Sequence, residues 1–473
     1  MSSSPKKLLT IFPLAMLITG SIDSIRNLPG TALFGSTLIF FSLFAALFFL
    51  LPTGLISATL TAQNPNRGGI YAWCRAAMGT RIAALAIWLQ WINTMVWFPT
   101  ILSFIAGTAT YLLDPQLAQN RFYLASVILI VFWLLTLVNL KGIRTAANFA
   151  SICTVIGMVI PMVFFIVLEV LWLFHGKPIQ IHFDRYTLWP SFQNKGTWAS
   201  LTIVMASFLG IELATVHVTQ TKNPSRNFPR ALLISVAIIV ITIILGSLAI
   251  AMVIPHKDIN LVSGVIQTFA YYLNAYHMNF MGPILTVLIV IGSLGGMINW
   301  LVSPAKGLLQ AANDHFLPAY FGHHNSAGVP SRLLIAQAII VSVIASAFVL
   351  MPSINGSYWL LTDLSTQLYM IMYILLFIAG IILYRKHVTR LENAGRSPIP
   401  GGKFVFNTCC VFGLIGTLVS IAVGFIRPED VNVGTQEQFI LLMASGIIIL
   451  SVPVTLLWYH AHAKQKKKPN PEL

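Results

Sequence analysis

The chain has 473 residues, of which 57% are hydrophobic and 9% charged, with a mean hydropathy of +0.81. That balance excludes a water-soluble globular protein and points to a polytopic membrane protein. The formal net charge of +15 does not indicate nucleic acid, because the cations are sorted between loops rather than gathered in one segment.

At about 20 apolar residues per crossing, the pattern predicts twelve spans, at 8–34, 36–62, 82–112, 121–140, 145–174, 198–220, 228–254, 280–312, 331–351, 357–384, 405–426 and 437–460. With the N-terminus inside, 21 of the 28 Lys and Arg fall in inner segments and six in outer ones, with Arg26 inside a span. This split is the positive-inside bias of an even number of spans with both termini cytoplasmic. Lys6 and Lys7 precede an apolar run that continues past Gly20 without a small-residue cleavage site, so the first span is expected to be retained. The four cysteines, Cys74, Cys153, Cys409 and Cys410, have no metal-like or CxxC spacing, and neither a disulfide framework, a metal nor a cofactor is expected.

The first span contains Thr19-Gly20-Ser21-Ile22-Asp23-Ser24-Ile25-Arg26-Asn27. An ion in hydrocarbon costs several kcal/mol or more, so Asp23 and Arg26 are expected to face a bundle interior or a water-filled cavity. A helix break at Gly20 to Asp23 is expected, because loosened backbone at that depth is tolerated only where it lines protein or a cavity. At i,i+3, Asp23 and Arg26 share a face if the helix has resumed, and would neutralise each other. If Arg26 alone faced the pocket, an acidic side chain would be favoured, and if Asp23 alone, a basic one.

The second span ends at a cytoplasmic turn, Gln63 to Gly69, followed by an amphipathic return from Ile70. In the third, Trp88 and Trp91 lie one turn apart, where they either pack or line a cavity, and Gln90, Asn93 and Trp97 accompany them. The fifth carries Pro161, a candidate kink, and Glu169, placed where a carboxylate reaches the outer interface. The outer loop 175–196 is too short to be a domain.

A second interrupted span appears at Ser207-Phe208-Leu209-Gly210-Ile211-Glu212. In both interrupted spans a glycine precedes a carboxylate by two or three positions, and paired broken helices in corresponding halves are the best sequence pointer to a transporter's binding site. His217 lies near the inner mouth and is taken as a satisfied polar residue. A short helix is expected between spans seven and eight, and the run Gly292 to Trp300, containing Asn299, permits close helix packing. Asp363 is the third intramembrane acid, in the outer third of span ten. Spans eleven and twelve, with no acid or base in their middles, are expected to be peripheral.

Phe208-Leu209-Gly210-Ile211-Glu212, followed by Lys222-Asn223-Pro224-Ser225-Arg226-Asn227-Phe228-Pro229, resembles the sixth-span signature of the amino acid, polyamine and organocation (APC) transporters. Ala251-Met252-Val253-Ile254-Pro255, Gly264-Val265-Ile266-Gln267-Thr268-Phe269 and Ile399-Pro400-Gly401-Gly402-Lys403 bring it nearest the bacterial glutamate/GABA antiporters. The resemblance implies an all-α integral membrane fold: twelve transmembrane helices, with a 5+5 inverted repeat (LeuT-like) over 8–174 and 198–384, broken helices one and six, and two further helices in 405–460. It places substrate between spans one, three, six, eight and ten, in the inner membrane of a bacterium. Gly296, Ala206 and Thr59 stand where relatives carry a glutamate, a stacking tryptophan and a second-span acid.

The expectation is therefore a secondary amino-acid exchanger working by alternating access, with neutral or acidic amino-acid substrates, the lipid bilayer as its only other partner and no nucleic acid. The alternative is an amine, polyamine or cationic amino-acid carrier. Gly20, Ser21, Ile22, Asp23, Arg26, Phe208, Leu209, Gly210 and Asn299 are the candidate substrate residues; the half-helix end after Gly20 would attract a carboxylate and carbonyls at Phe208 to Gly210 an ammonium. Glu212 and Asp363 are the candidate proton-coupling or gating acids. An enzyme is disfavoured, since HExxH, GxSxG and metal clusters are absent from the sequence, and the paired breaks argue against a channel.

Overall fold

The computed structural model describes residues 9–63, 69–141, 153, 155–191, 195–213, 215, 221–313, 319–322, 325–326, 329–392 and 402–466. His217, the turn 64–68 and the loop 393–401 lie outside them. Among the described residues the chain is helical, with one isolated bridge between Leu9 and Thr221.

Helix α1 (Ile11–Ile22) stops at Asp23, whose backbone is extended (φ −62°, ψ 133°). Ser24 then accepts the Arg26 N–H and opens a 3-10 turn, Ile25–Asn27. Helix α2 (Leu28–Ala32) follows, with Pro29 in its first turn, where the missing N–H removes no helical bond. The break falls at Asp23 and Ser24 rather than at Gly20, because glycine permits an interruption while the serine side chain supplies one. Since α2 has only five residues, its dipole is weak.

The second span is α3 (Leu38–Ala45), a π turn at Ala46–Leu50 and α4 (Leu51–Gln63). The amphipathic return is α5 (Ile70–Met78), and α6 (Thr80–Ala109) and α7 (Arg121–Leu140) follow. Asn120 caps α7 by accepting the N–H groups of Phe122 and Tyr123. A second π turn, Val155–Val159, leads into α8 (Ile160–Phe174). Pro161 follows directly on that π turn within one helical stretch, 156–174, so its missing N–H falls where the helix is already widened.

Helix α9 (Ser200–Ala206) ends in a turn over 207–210 and a 3-10 turn over 211–213, which is the second predicted break. Then come α10 (Pro224–Val253), α11 (Gly264–Ala275), α12 (Met281–Asn313), α13 (Ser331–Ala345), α14 (Ile354–Glu392), α15 (Gly402–Val423) and α16 (Gln436–Lys466). Helix α14 runs past 384 to Glu392. Among the described residues, ten helical stretches are long and apolar enough to cross a bilayer, and two shorter apolar ones lie at Ile11–Gly20 and Met281–Met297.

Helix α6 is central, packed most extensively on α14 and α12, while α1 and α2 lie along α10 and α9 reaches α3 and α14. The small residues of span eight do bring backbones together: a Cβ added at Gly292 would lie 2.5 Å from the Cα of Gly157. Large apolar side chains such as Leu134, Val343, Leu418 and Ile449 are exposed, as hydrocarbon contact requires. Helix α16 is the most peripheral long helix, with 11% of its most apolar stretch buried.

Glu169 departs from expectation: it is 2% exposed and its Oε2 has no partner. Helix α11 folds over the end of α8 through Phe165 on Phe269 and Trp172 on Tyr272, which covers the carboxylate and keeps it from the interface.

Candidate functional site

The two breaks meet α6 and α14 at the centre of the bundle. Along α6, Gln90, Asn93, Trp97 and Thr100 recur at spacings of three or four and so share one face. Along α14, Ser365, Tyr369 and Tyr373 recur every fourth residue. The two faces are joined where the Ser365 hydroxyl donates to Asn93 Oδ1 at 3.1 Å.

Glu212 sits between them and is 3% exposed. Its Oε1 accepts from Tyr369 at 2.6 Å and from Gln90 Nε2 at 3.1 Å, and its Oε2 accepts from Tyr373 at 2.5 Å. The Tyr373 oxygen also accepts the backbone N–H of Gly210 at 2.9 Å. One carboxylate thus ties spans three, six and ten together, and one tyrosine links it to the loosened backbone of the sixth.

Arg26 is buried, 3% exposed. Its Nη1 donates to the Thr100 hydroxyl, its guanidinium lies 5.2 Å from the Trp97 ring centroid, and its Nε has no partner. The Tyr358 hydroxyl donates to its carbonyl at 3.1 Å and fixes the backbone. Asp23 points elsewhere: its Oδ2 accepts from Thr242 of α10 at 2.8 Å, and its Oδ1 is buried without a partner. The expected Asp23–Arg26 pair does not form. Extended backbone at Asp23 and Ser24 separates the two residues, so helical i,i+3 phasing does not apply to them.

Between Ala86 and Thr108 every residue of α6 is buried except Trp97. Because neighbouring helices cover that stretch, its partial exposure marks internal space. Trp300 of α12 is also half-buried, with its ring centroid 5.5 Å from that of Trp97, and Leu209, Ala206, Ser24 and Gly20 share that partial exposure. A Cβ added at Gly20 would meet no atom within 4 Å. A separate cavity of about 390 Å³ lies toward the loop side, between Phe34, Gln180, His182, His256 and Glu429.

Among the other sequence candidates, Ile22 and Phe208 are buried packing residues. The Gly210 carbonyl accepts from the Leu213 N–H at 3.0 Å, so it is engaged in the 3-10 turn. Ser21 and Asn299 lie on helical backbone, and their side chains lie outside the described residues. Asp363 faces α15 through Gln367, not Glu212. Trp88 and Trp91 pack, with Trp88 Nε1 donating to the Leu450 carbonyl at 2.8 Å. Tyr373, Thr100, Thr242 and Tyr358 were not singled out by sequence; the four-residue spacing of Ser365, Tyr369 and Tyr373 in an apolar span was the available signal for the first.

Gly210 is the strained point of the sixth-span break, with φ +96°. An added Cβ would lie 2.9 Å from Trp300 Cη2. Backbone strain of about 1–2 kcal/mol adds to displacement of that ring. Gly210→Ala is therefore expected to cut the initial uptake rate by roughly tenfold with membrane abundance retained, measured as uptake normalised to protein in the bilayer.

The amino acid permease family matches residues 9–452. The chain is 38% identical over 461 residues to an uncharacterized transporter of Legionella pneumophila, covering 97% of this chain and 98% of that one. It is 27% identical over 467 residues to a glutamate/gamma-aminobutyrate antiporter of Lactococcus lactis, covering 97% and 92%. A probable agmatine/putrescine antiporter of Lactococcus lactis is 22% identical over 422 residues, covering 89% and 88%. A match that begins in α1, takes in both broken helices and ends in α16 leaves one conclusion: this chain belongs to the amino acid permease family, as a multi-pass membrane transporter.

Proposed function

We propose that the chain is an amino-acid exchanger that works by alternating access and prefers an acidic amino acid. The observation that carries the reading is Arg26, a buried cation without a counter-ion among the described residues, lying beside the half-buried Trp97 and Trp300 at a broken helix. A guanidinium presents a planar set of donors that matches a carboxylate. Its Nε is free to take one; Asp23 is engaged with Thr242 and Glu212 with Tyr369, Tyr373 and Gln90, so neither acid is bonded to it. This favours an acidic substrate over the plain zwitterion that a neutralised Asp23–Arg26 pair would have selected.

The proposed framework has twelve spans in two inverted repeats, 8–174 and 198–384, with 405–460 outside them and both termini cytoplasmic. Support comes from the breaks at Asp23 and at Ser207 to Gly210, each at the start of one repeat, and from the loop charge bias. In each repeat the break supplies residues that face α6: Arg26 in the first, Glu212 in the second. Rocking of one repeat against the other around this fixed point would expose the pocket to either side.

The test is counterflow. Proteoliposomes loaded with unlabelled glutamate should accumulate labelled glutamate transiently, and external aspartate, glutamate or glutamine should compete better than arginine, lysine or putrescine. Linear, non-saturating flux would reject a carrier. Strongest competition by the cationic compounds would transfer the assignment to an amine carrier.

A further inference from the structure

Asp363 belongs to a second polar cluster, outside the pocket just described. It is 1% exposed, on the side of α14 that meets the C-terminal end of α15. Gln367, one turn further along and 0% exposed, donates from Nε2 to Asp363 Oδ1 at 3.0 Å and to the Ser420 carbonyl at 3.2 Å. Gln367 Oε1 and Ser420 Oγ are both buried without partners. A Cβ added at Gly424 would lie 1.8 Å from Gln367 Nε2 and 2.9 Å from Asp363 Oδ1, so the glycine is what leaves room for the two heads.

The atoms gathered here are an excess of oxygen. Gln367 spends its amide donors on the carboxylate and on Ser420, which leaves its own oxygen facing no donor. Exchanging the amide oxygen and nitrogen would set oxygen against both of those acceptors, so the assignment is fixed by its surroundings. Helix α15 ends at Val423, and this end carries the negative pole of its dipole; the Ser420 carbonyl there accepts from the Gly424 N–H at 3.0 Å as well as from Gln367, and the Val423 carbonyl from the Ile426 N–H at 2.9 Å. Among the described residues no Lys, Arg or His bonds Asp363. A lone carboxylate beside a helix C-terminus, with orphan amide and hydroxyl oxygens, is short of positive charge.

We infer that the Asp363 carboxylate, Gln367 Oε1 and Ser420 Oγ, at the negative end of the α15 dipole, form a binding site for a small monovalent cation such as sodium. Hard oxygen ligands suit an alkali or alkaline-earth ion. One carboxylate neutralises one charge, whereas a divalent ion would leave a net charge buried between two membrane helices. The site is built on α14 itself. The same helix carries Tyr369 and Tyr373 to Glu212, so an ion holding α14 on α15 would also steady the carboxylate node of the transport pathway.

The experiment is thermal unfolding of the purified full-length protein in NaCl against choline chloride, at equal ionic strength and fixed pH. Sodium is expected to raise the unfolding midpoint saturably, by several degrees, through preferential binding to the folded state. Asp363→Asn should remove the sodium-specific rise. Ser420→Ala should shift the half-saturating sodium concentration upward by about tenfold. Equal midpoints in the two salts would overturn the site, as would an undiminished sodium effect in Asp363→Asn, or a stabilisation that follows pH and ignores sodium. If Asp363→Asn fails to accumulate, Ser420→Ala decides alone, and an unchanged half-saturation refutes the assignment.

Discussion

Arg26→Gln is expected to lower glutamate transport efficiency by roughly 30- to 4,000-fold while changing glutamine transport by less than about threefold. Removing one partner of a buried, hydrogen-bonded charge pair costs about 2–5 kcal/mol, and the proposed pair forms only when an acidic side chain is present. Glutamine at position 26 ends near where Arg26 Nε lies and gives up the bond to Thr100, but the Thr100 hydroxyl still donates to the Trp97 carbonyl at 2.7 Å, so the Trp97–Thr100 segment should stay in place. The ratio of the two substrates, measured as initial rates in proteoliposomes, is therefore more informative than either rate. An equal loss for both would show that Arg26 serves only to brace α6. A gain in lysine or putrescine transport would also fit, because the positive charge that excludes those compounds is gone. Arg26→Lys should fall between wild type and Arg26→Gln for glutamate, since an ammonium keeps the charge but not the planar donor set.

The sequence reveals the frame of this molecule more readily than the aim of its side chains. Long apolar runs and two glycine-containing interruptions are one-dimensional features, and the helices and both breaks appear close to where they are expected. Orientation is different, because it depends on helical phase. Asp23 and Arg26 look like an i,i+3 pair only if helix continues between them, and two extended residues send one toward Thr242 and the other toward Thr100. Asp363 and Tyr369 share a helix, but six residues at 100° each place them about 120° apart, so one meets α15 and the other meets Glu212.

Burial by distant segments is equally hidden in the sequence. Glu169 is positioned by depth near an interface, and only the return of α11 over α8 encloses it. Tyr373 is unremarkable as an aromatic residue in an apolar span. Its role emerges from the Gly210 N–H on one side and the Glu212 carboxylate on the other. Trp88 and Trp91, by contrast, are conspicuous in sequence and turn out to pack, while the half-exposed ring belongs to Trp97, six residues beyond Trp91 on the face that includes Gln90 and Asn93.

Glu212→Gln is expected to leave the protein folded and inserted but to flatten the pH dependence of transport. A carboxylate can only accept, and Glu212 accepts from Tyr369, Tyr373 and Gln90; this donor set suits the ionised form. Adding a proton turns one carboxyl oxygen into a donor, so at least one of those three groups must turn away or, if it is a tyrosine hydroxyl, stop donating and accept instead. If Tyr373 turns away, the hydroxyl that also accepts the Gly210 N–H is released, and the sixth-span break loses its tie to span ten. Proton occupancy is thereby linked to the mobility of the break. Where one proton is coupled, the rate should change by up to about tenfold per pH unit through the titration, whereas Glu212→Gln, which cannot titrate, should vary by less than about twofold over the same range. Tyr373→Phe strands the Gly210 N–H at a cost of about 1–3 kcal/mol and should reduce the rate at every pH while keeping the slope. The measurement is initial counterflow rate from pH 5 to 8 in proteoliposomes buffered equally on both sides. A Glu212→Gln profile parallel to wild type would reduce the carboxylate to a structural tie among three helices and would move the search for a coupling acid elsewhere in the bundle.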